Sequence, residues 1–363
     1  MNQPQPRPLA VLTSGGDAPG MNAAIRAVVK VAASRGMHVH GVIGGYTGLL
    51  EGELRPLGHV ADGVITVDPS LDFVATQGGT ILGSAREPRF MTREGRAPAL
   101  KVLEGLAGLI VIGGNGSLGG AHALATESST PVVGIPASID HDVGCTGTSL
   151  GVDTALNTIV SSCDRICDTA RAHRRAFVVE VMGRDCGYLA MAGAIAAGAD
   201  AVLFREQGRS EEAIVDATEQ AIRRAFEVAS KRRVLIVKAE GVTLPCTKMV
   251  EALETRLADV AGVGVRATVL GHLVRGGSPT FQDRMVAGRL GLAAVEAVAD
   301  GASDVMVAWQ PPGGIGEATR DPSTRRVPLT DVLRESKALV DGTSKITQWR
   351  VKMMEQMEGV LGL

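Results

Sequence analysis

The heptapeptide Pro136-Ala137-Ser138-Ile139-Asp140-His141-Asp142, together with the apolar run before it, is the most informative feature of this chain. That run, Pro131-Val132-Val133-Gly134-Ile135, predicts a buried strand. Asp140 and Asp142 follow its carboxyl end, which is where open α/β sheets bind their ligands. Asp is also common in turns and at helix N-caps, so the pair taken alone is equally compatible with a structural role.

Two glycine-rich turns accompany the carboxylate pair. Ser14-Gly15-Gly16-Asp17-Ala18-Pro19-Gly20 follows one apolar segment, and Gly113-Gly114-Asn115-Gly116-Ser117 follows another. A glycine-rich turn between a strand and a helix lets backbone N–H groups approach a phosphate. Phosphate cradles beside two carboxylates indicate phosphoryl transfer to a hydroxyl, with one carboxylate taking the proton and the other helping to hold Mg²⁺.

Length and composition exclude several functional classes. The 363 residues are 45% hydrophobic, which is enough for more than one lobe. Aromatic residues make up 3% and the formal charge is −2, so we expect neither a nucleic-acid partner nor a membrane partner. Cys163 and Cys167 are interpreted as buried thiols rather than half a metal site. The polar N-terminus has no apolar signal-peptide core, so we expect a cytoplasmic protein.

Strands and helices alternate along the chain and predict an α/β fold. Apolar segments near residues 9–13, 39–42, 108–112 and 131–135 are the first predicted strands, and the pattern resumes with a helix predicted from Asn157 to Arg171. We expect two Rossmann-like lobes with mostly parallel sheets and a cleft between them. Ser344–Leu363 is predicted to form a terminal amphipathic helix.

Three longer motifs resemble those of one family. They are residues 12–26, Val179-Glu180-Val181-Met182-Gly183-Arg184, and Leu270-Gly271-His272-Leu273-Val274-Arg275-Gly276-Gly277-Ser278-Pro279. In this order they resemble the ATP-dependent 6-phosphofructokinases, over about Pro8 to Arg284. NAD and lipid kinases also carry Gly-Gly-x-Gly turns but lack the second and third motifs.

The resemblance implies a fold, an activity and an assembly. Residues 1–151 plus about 274–325 would form the larger, ATP-binding lobe of the phosphofructokinase fold. Residues of about 152–273 plus 326–363 would form the smaller, sugar-phosphate lobe. The chain would phosphorylate fructose 6-phosphate at its 1-hydroxyl with ATP and Mg²⁺, the committed step of glycolysis. It would act as an allosteric homo-oligomer, a tetramer in this family.

The resemblance also implies a role for each site residue. Asp140 would be the base that deprotonates the 1-hydroxyl, with Asp142 and Arg184 as further catalytic residues. ATP would contact Gly16, Arg86, Glu87, Gly114, Asn115, Gly116 and Ser117. The sugar phosphate would contact Ser138, Asp140, Arg175, Met182, Gly183, Arg184, Glu240, Arg266, His272 and Arg275. Among these, Arg175 and Arg266 would reach a neighbouring subunit's site. Mg²⁺ would be held by Asn115 and Asp142.

The chain departs from the family pattern at several positions. Asn115 stands where the family has an Asp that supports Mg²⁺, and His141 replaces an Asn. Two alternative functions therefore stay open: a pyrophosphate-dependent enzyme of the same fold, and a catalytically weakened regulatory relative. Gly116 and Ala137 stand where pyrophosphate users typically carry Asp and Lys, which favours ATP.

The residues that match the bacterial effector site follow the family pattern only in part. Arg26, Lys30 and Lys231 match basic positions of the bacterial effector site, whereas Cys167 and His59 stand where arginines are usual. We expect affinity for ADP or phosphoenolpyruvate to be weak or absent.

Overall fold

The computed structural model describes residues 7–61, 64–260, 262–357 and 360, and these form two compact units. The first contains the described residues of Met1–Ile139, Val143–Thr154 and Arg275–Lys337. The second contains those of Asp140–Asp142, Ala155–Val274 and Ala338–Leu363. Residues 140–142 were predicted in the larger lobe and group here with the second unit, whereas residues 326–337 were predicted in the smaller lobe and group with the first. The ligand of each unit stays a prediction.

The secondary structure is as follows. The strands are β1 (Leu9–Ser14), β2 (Val39–Val42), β3 (Leu54–Pro56), β4 (Gly58–Ala61), β5 (Val64–Val67), β6 (Gly108–Gly113), β7 (Val132–Pro136), β8 (Arg175–Val181), β9 (Ala201–Leu203), β10 (Val234–Ala239), β11 (Gly264–Val269), β12 (Val305–Trp309), β13 (Glu317–Ala318) and β14 (Thr324–Pro328). The helices are α1 (Met21–Ser34), α2 (Gly45–Glu51), α3 (Ser70–Val74), α4 (Arg93–Leu103), α5 (Asn115–Glu127), α6 (Val152–His173), α7 (Tyr188–Ala197), α8 (Glu211–Arg223), α9 (Cys246–Arg256), α10 (Phe281–Ala299), α11 (Leu329–Val340) and α12 (Lys345–Met357). Short 3₁₀ turns lie at Pro88–Met91, Arg205–Gln207 and Gly271–Arg275, and a π turn lies at Arg224–Val228.

The first unit is built on an eight-stranded sheet of order β13-β14-β12-β7-β6-β1-β2-β3. Its five central strands are parallel, and β3, β13 and β14 add antiparallel edges. Every residue of β1, β6 and β7 is buried, as expected for parallel strands covered on both faces. The predicted α/β class is confirmed for this unit.

The second unit is built on a four-stranded sheet of order β11-β8-β10-β9, all parallel. In its core, Val178 and Ile236 of the sheet pack against α8 and α9, and Leu253 is one of the buried residues of α9. The prediction of two mostly parallel sheets is confirmed.

The terminal helix is present as α12, and positions 358, 359 and 361–363 of its predicted span lie outside the described residues. α6 begins at Val152, five residues before its predicted start at Asn157. Among the described residues, no helix combines the length and the apolarity needed to cross a bilayer.

Candidate functional site

Three strand ends of the first sheet lie side by side. Ser14, the last residue of β1, is the register partner of Gly113 at the end of β6, and Gly113 in turn pairs with Pro136 at the end of β7. Because the strands are parallel, both glycine-rich turns and the segment after Pro136 leave the sheet at the same edge. This juxtaposition was expected from the sequence.

The first turn carries an arginine against its backbone. Gly15 has a φ of 84°, which favours glycine. A Cβ at Gly16 would lie 2.6 Å from Nη1 of Arg275, and that Nη1 donates to the carbonyl of Asp17 at 3.1 Å. The structure therefore places Arg275, predicted as a sugar-phosphate contact, beside a turn predicted to bind ATP.

A third glycine-rich segment, residues 78–86, is tied to the first turn by hydroxyl groups. Thr13 Oγ1 shares a hydrogen bond of 2.8 Å with Thr80 Oγ1 and donates to the Gly83 carbonyl at 2.9 Å. Ser84 Oγ donates to the Gly15 carbonyl at 2.6 Å. These bonds fix the chain just before Arg86, which is exposed.

The carboxylate of Glu87 is already engaged within the chain. It accepts hydrogen bonds from the backbone N–H of Arg89 at 3.0 Å and from its guanidinium at 2.7 and 2.9 Å, so it caps the turn Pro88–Met91. The Arg89 guanidinium lowers the pKa of Glu87 to about 2. A structural role accounts for Glu87, and its contact with ATP stays a prediction.

The second turn opens α5 and forms a cradle. Ser117 Oγ is buried and has no hydrogen-bond partner among the described residues. A Cβ at Gly15 would lie 3.1 Å from this hydroxyl, and one at Gly113 would lie 2.6 Å from it. Tyr46 Oη donates to the Ser117 carbonyl at 2.6 Å and fixes the first turn of α5. Backbone N–H groups at the start of a helix attract anions, so the cradle suits a phosphate.

Ser138 lies against the second turn. A Cβ at Gly114 would lie 3.5 Å from the Ser138 Cβ. The Ser138 carbonyl accepts from Ser149 Oγ at 2.7 Å, and its N–H donates to the Leu150 carbonyl at 3.2 Å. The first unit thus brings together Gly16, Gly114 to Ser117, Ser138 and Arg275.

The aspartate pair of the second unit flanks a buried histidine. Asp140 and Asp142 are half-buried, whereas His141 is 8% exposed and has a φ of 53°. Its ring packs on Tyr188 with the centroids 4.2 Å apart. Burial, and then the charge of Arg350, lowers the pKa of the His141 imidazole to about 3. The imidazole is therefore neutral at physiological pH.

Arg184 and Glu240 are neighbours in the second unit. Met182 and Gly183 are buried, and Gly183 has a φ of 116°. A Cβ at Gly241 would lie 2.1 Å from the Arg184 carbonyl, which shows how closely the two segments approach. Both Arg184 and Glu240 are exposed, as a pair of ligand contacts would be.

An ion pair between a buried lysine and a partly buried glutamate in the second unit was not expected from the sequence. Lys238 is 1% exposed, and its Nζ lies 2.8 Å from Glu180 Oε2. Cys246 Sγ donates to the same oxygen at 3.3 Å. Lys238 and Glu180 are register partners on β10 and β8. A lysine within the otherwise apolar run of β10 was the signal that could have indicated the pair.

Arg175 lies on an inner strand of the second sheet, Arg266 lies on the edge strand beside it, and His272 follows that edge strand. Arg175 begins β8, and Arg266 lies on β11, an edge strand. Arg266 Nη1 lies 2.6 Å from Glu254 Oε1, and His272 is exposed. Their contacts with sugar phosphate, and the reach of both arginines into a second subunit, stay predictions.

The basic residues matched to an effector site face carboxylates of this chain. Arg26 Nε and Lys30 Nζ each lie 2.6 Å from Asp72 Oδ1. Lys231 Nζ lies 2.8 Å from Asp200 Oδ1. Effector binding stays a prediction.

The side chains that could bind Mg²⁺ are few in the part of the chain that the structure describes. Among the described residues, no group of three or more His, Cys, Asp or Glu side chains could hold a metal ion. Cys163 and Cys167 are buried free thiols, and burial raises the pKa of Cys163 to about 12. Mg²⁺ often takes only one or two protein ligands plus substrate phosphate oxygens. An amide oxygen such as that of Asn115 and a carboxylate such as that of Asp142 are ligands of the type that Mg²⁺ accepts, and the role of both residues in metal binding stays a prediction.

Comparisons with known proteins agree with this geometry. Residues 8–298 match the family model described as Phosphofructokinase. The chain is 46% identical to an ATP-dependent 6-phosphofructokinase of Thermotoga neapolitana, over 83% of this chain and 89% of that protein. It is 44% identical to ATP-dependent 6-phosphofructokinase 1 of Thermus thermophilus, over 82% and 88%. Phosphofructokinase from Saccharomyces cerevisiae superposes with a TM-score of 0.78 at 30% identity. That match covers 96% of this chain and 48% of the yeast chain, so this chain spans about half its length.

Proposed function

Since the chain belongs to the phosphofructokinase family, we propose that it transfers the γ-phosphoryl group of ATP to the 1-hydroxyl of fructose 6-phosphate. The products are ADP and fructose 1,6-bisphosphate. One observation carries the proposal: relatives named ATP-dependent 6-phosphofructokinase are 41–46% identical to this chain over more than four-fifths of its length. This reaction is the committed step of glycolysis, and it implies a cytoplasmic location.

In this proposal the first unit holds the phosphates of ATP. Gly16 and Gly114 offer backbone N–H groups, while Ser117 offers a buried hydroxyl with no other partner among the described residues. Arg275 adds a cation beside Gly16. Preorganised donors and a fixed cation stabilise the charge that spreads over phosphate oxygens during transfer.

The donor is ATP rather than pyrophosphate. A Cβ at Gly116 would meet no atom of the described chain within 4 Å, so packing does not demand glycine there. Open space at this position suits the remainder of a nucleotide. Ala137 is small and buried, and it supplies no cation for a pyrophosphate.

Asp140 is the proposed base, and sugar-phosphate contacts come mostly from the second unit. The Asp140 carboxylate takes the proton of the 1-hydroxyl as that oxygen attacks phosphorus. The exposed guanidinium of Arg184 binds phosphate oxygens, and Glu240 accepts hydrogen bonds from sugar hydroxyls. Mg²⁺, when bound with ATP, would neutralise phosphate charge beside Asn115 and Asp142.

The working enzyme is proposed to be a homo-oligomer, a tetramer by family resemblance. Arg266 lies on the edge strand β11, where Ala267 and Val269 are also exposed. An exposed edge strand with apolar side chains is a surface that proteins usually cover. Arg175 and Arg266 would then complete the sugar-phosphate site of a neighbouring copy.

A second candidate is a regulatory relative with weakened catalysis, favoured by Asn115 alone. Asn supplies a neutral oxygen where a carboxylate would hold a hard cation more tightly. Purified protein incubated with fructose 6-phosphate, Mg²⁺ and ATP decides between the two candidates. Formation of fructose 1,6-bisphosphate, detected by its cleavage with aldolase, is the expected result. Binding of both substrates without product at any Mg²⁺ concentration would support the regulatory candidate instead.

A further inference from the structure

Three side chains of the second unit form a continuous stack that ends between the two aspartates. The Arg350 Cζ lies 4.5 Å from the centroid of the Tyr188 ring. The same ring packs on His141 at 4.2 Å between centroids. Arg350 belongs to α12, Tyr188 begins α7, and His141 separates Asp140 from Asp142. The stack therefore links the C-terminal helix to the segment that carries the proposed base.

The position of Arg350 on its helix is unusual for a cation. Thr347, Arg350 and Met354 are the buried residues of α12 and lie at helical spacing on one face. Arg350 is 9% exposed, although arginine is seldom this buried without a specific partner. A cation over an aromatic face is such a partner, and the interaction strengthens when water is excluded.

The conformation of His141 needs support from its surroundings. Its φ of 53° lies in the left-handed region, which is unfavourable for a residue other than glycine and persists only where the surrounding structure imposes it. The ring is almost fully buried, and it is packed on Tyr188. A change at His141 would rotate the peptide planes on either side, and with them the directions of Asp140 and Asp142.

α12 lies beyond residue 298, where the match to the family model ends. We propose that Arg350 and Tyr188 are positioning residues that lock His141 and so fix the orientation of the two aspartates. This inference rests on the proposed function for its catalytic consequence. The C-terminal helix thereby becomes part of the support for the active site.

The experiment combines kinetics with hydrogen–deuterium exchange on the full-length protein. Arg350→Ala and Tyr188→Leu each remove one layer of the stack, and Tyr188→Phe keeps the aromatic face. Lys352→Ala, an exposed position on the same helix, is the matched control. Exchange of the peptide covering residues 137–143 reports the aspartate segment whether or not the enzyme turns over.

We expect Arg350→Ala and Tyr188→Leu to lower kcat about tenfold or more, because small misplacements of catalytic groups are costly. The KM values for ATP and fructose 6-phosphate should change less than about twofold, and exchange in residues 137–143 should rise. Tyr188→Phe should retain most of kcat, and Lys352→Ala should match wild type. Tyr188→Leu decides the question if Arg350→Ala fails to fold.

Two results would overturn the inference. One is unchanged exchange in residues 137–143 in both disruptive variants. The other is a loss of activity expressed only in the KM values. A wild-type protein without activity would reject the proposed function, while the exchange data would still decide whether the stack holds the segment.

Discussion

The guanidinium of Arg275 lies against Gly16, so closely that a Cβ there would lie 2.6 Å from Nη1. Gly16→Ala must therefore displace this cation from the first turn. We expect the KM for ATP to rise about tenfold, which corresponds to about 1.4 kcal/mol of binding. Gly288→Ala is the matched control, since a Cβ at that helical glycine would meet nothing within 4 Å. Equal KM values in the two variants would remove Gly16 from the nucleotide site.

Asp140→Asn tests the proposed base. The amide keeps the size of the side chain but cannot take a proton, so kcat should fall by roughly 10²–10⁴-fold. The dissociation constant for fructose 6-phosphate should stay within a small factor, because arginines carry most of the ground-state binding. Steady-state kinetics and direct titration measure the two quantities. A variant that keeps most of the wild-type kcat would exclude Asp140 as the base.

His141 makes stability depend on pH in a defined direction. Its pKa is about 3 in the folded chain, compared with about 6.5 when unfolded, so the unfolded state binds the extra proton between these values. The contribution of neutral His141 to the free energy of unfolding is therefore present above about pH 6.5, and it is lost as the pH falls from there towards about 3. Between pH 7 and 5 we expect a loss of about 2 kcal/mol in the free energy of unfolding.

His141→Asn is the control for this effect, because Asn tolerates a left-handed backbone and does not titrate. Urea titrations of both proteins at pH 7 and 5 provide the comparison. An identical pH dependence in the two proteins would contradict the assignment to His141.

Arg266→Ala tests assembly across subunits. If this side chain completes a neighbouring site, the KM for fructose 6-phosphate should rise much more than that for ATP. Co-refolding this variant with Asp140→Asn should then restore activity, because some hybrid sites would carry both intact residues. Mixed oligomers that are verified by mass and yet remain inactive would show that each site is built within one chain.

Asn115→Asp tests the altered metal position. A carboxylate adds negative charge beside the proposed cation, so half-maximal activity should require less Mg²⁺. A Mg²⁺ titration of initial rates at saturating ATP measures the shift. An unchanged or higher requirement would indicate that Asn115 contributes nothing to metal binding.

The parts of the site that follow strand ends could be predicted from the sequence. Apolar runs followed by glycine-rich turns predicted that the ends of β1, β6 and β7 would meet, and Ser14, Gly113 and Pro136 are register partners. The spacing of apolar side chains and the residue types in turns are local properties, so both can be determined from a single sequence.

Contacts between distant segments could not be predicted in this way. Arg275 packs on Gly16 across more than 250 residues, and Arg350 reaches Tyr188 from the last helix. Such contacts depend on how whole elements pack, and they leave no periodic signal in the chain. Glu87 is a different case, because Arg89, only two residues away, binds the carboxylate that family resemblance assigned to ATP.

The donor specificity is the most direct test of the central claim. Initial rates of fructose 1,6-bisphosphate formation are measured at saturating fructose 6-phosphate and Mg²⁺, with ATP and pyrophosphate in parallel. We predict product with ATP, one ADP released per product molecule, and a kcat/KM for pyrophosphate at least about 100-fold lower, which is a difference of about 2.7 kcal/mol. Comparable kcat/KM values for the two donors, or no product with ATP, would contradict the account.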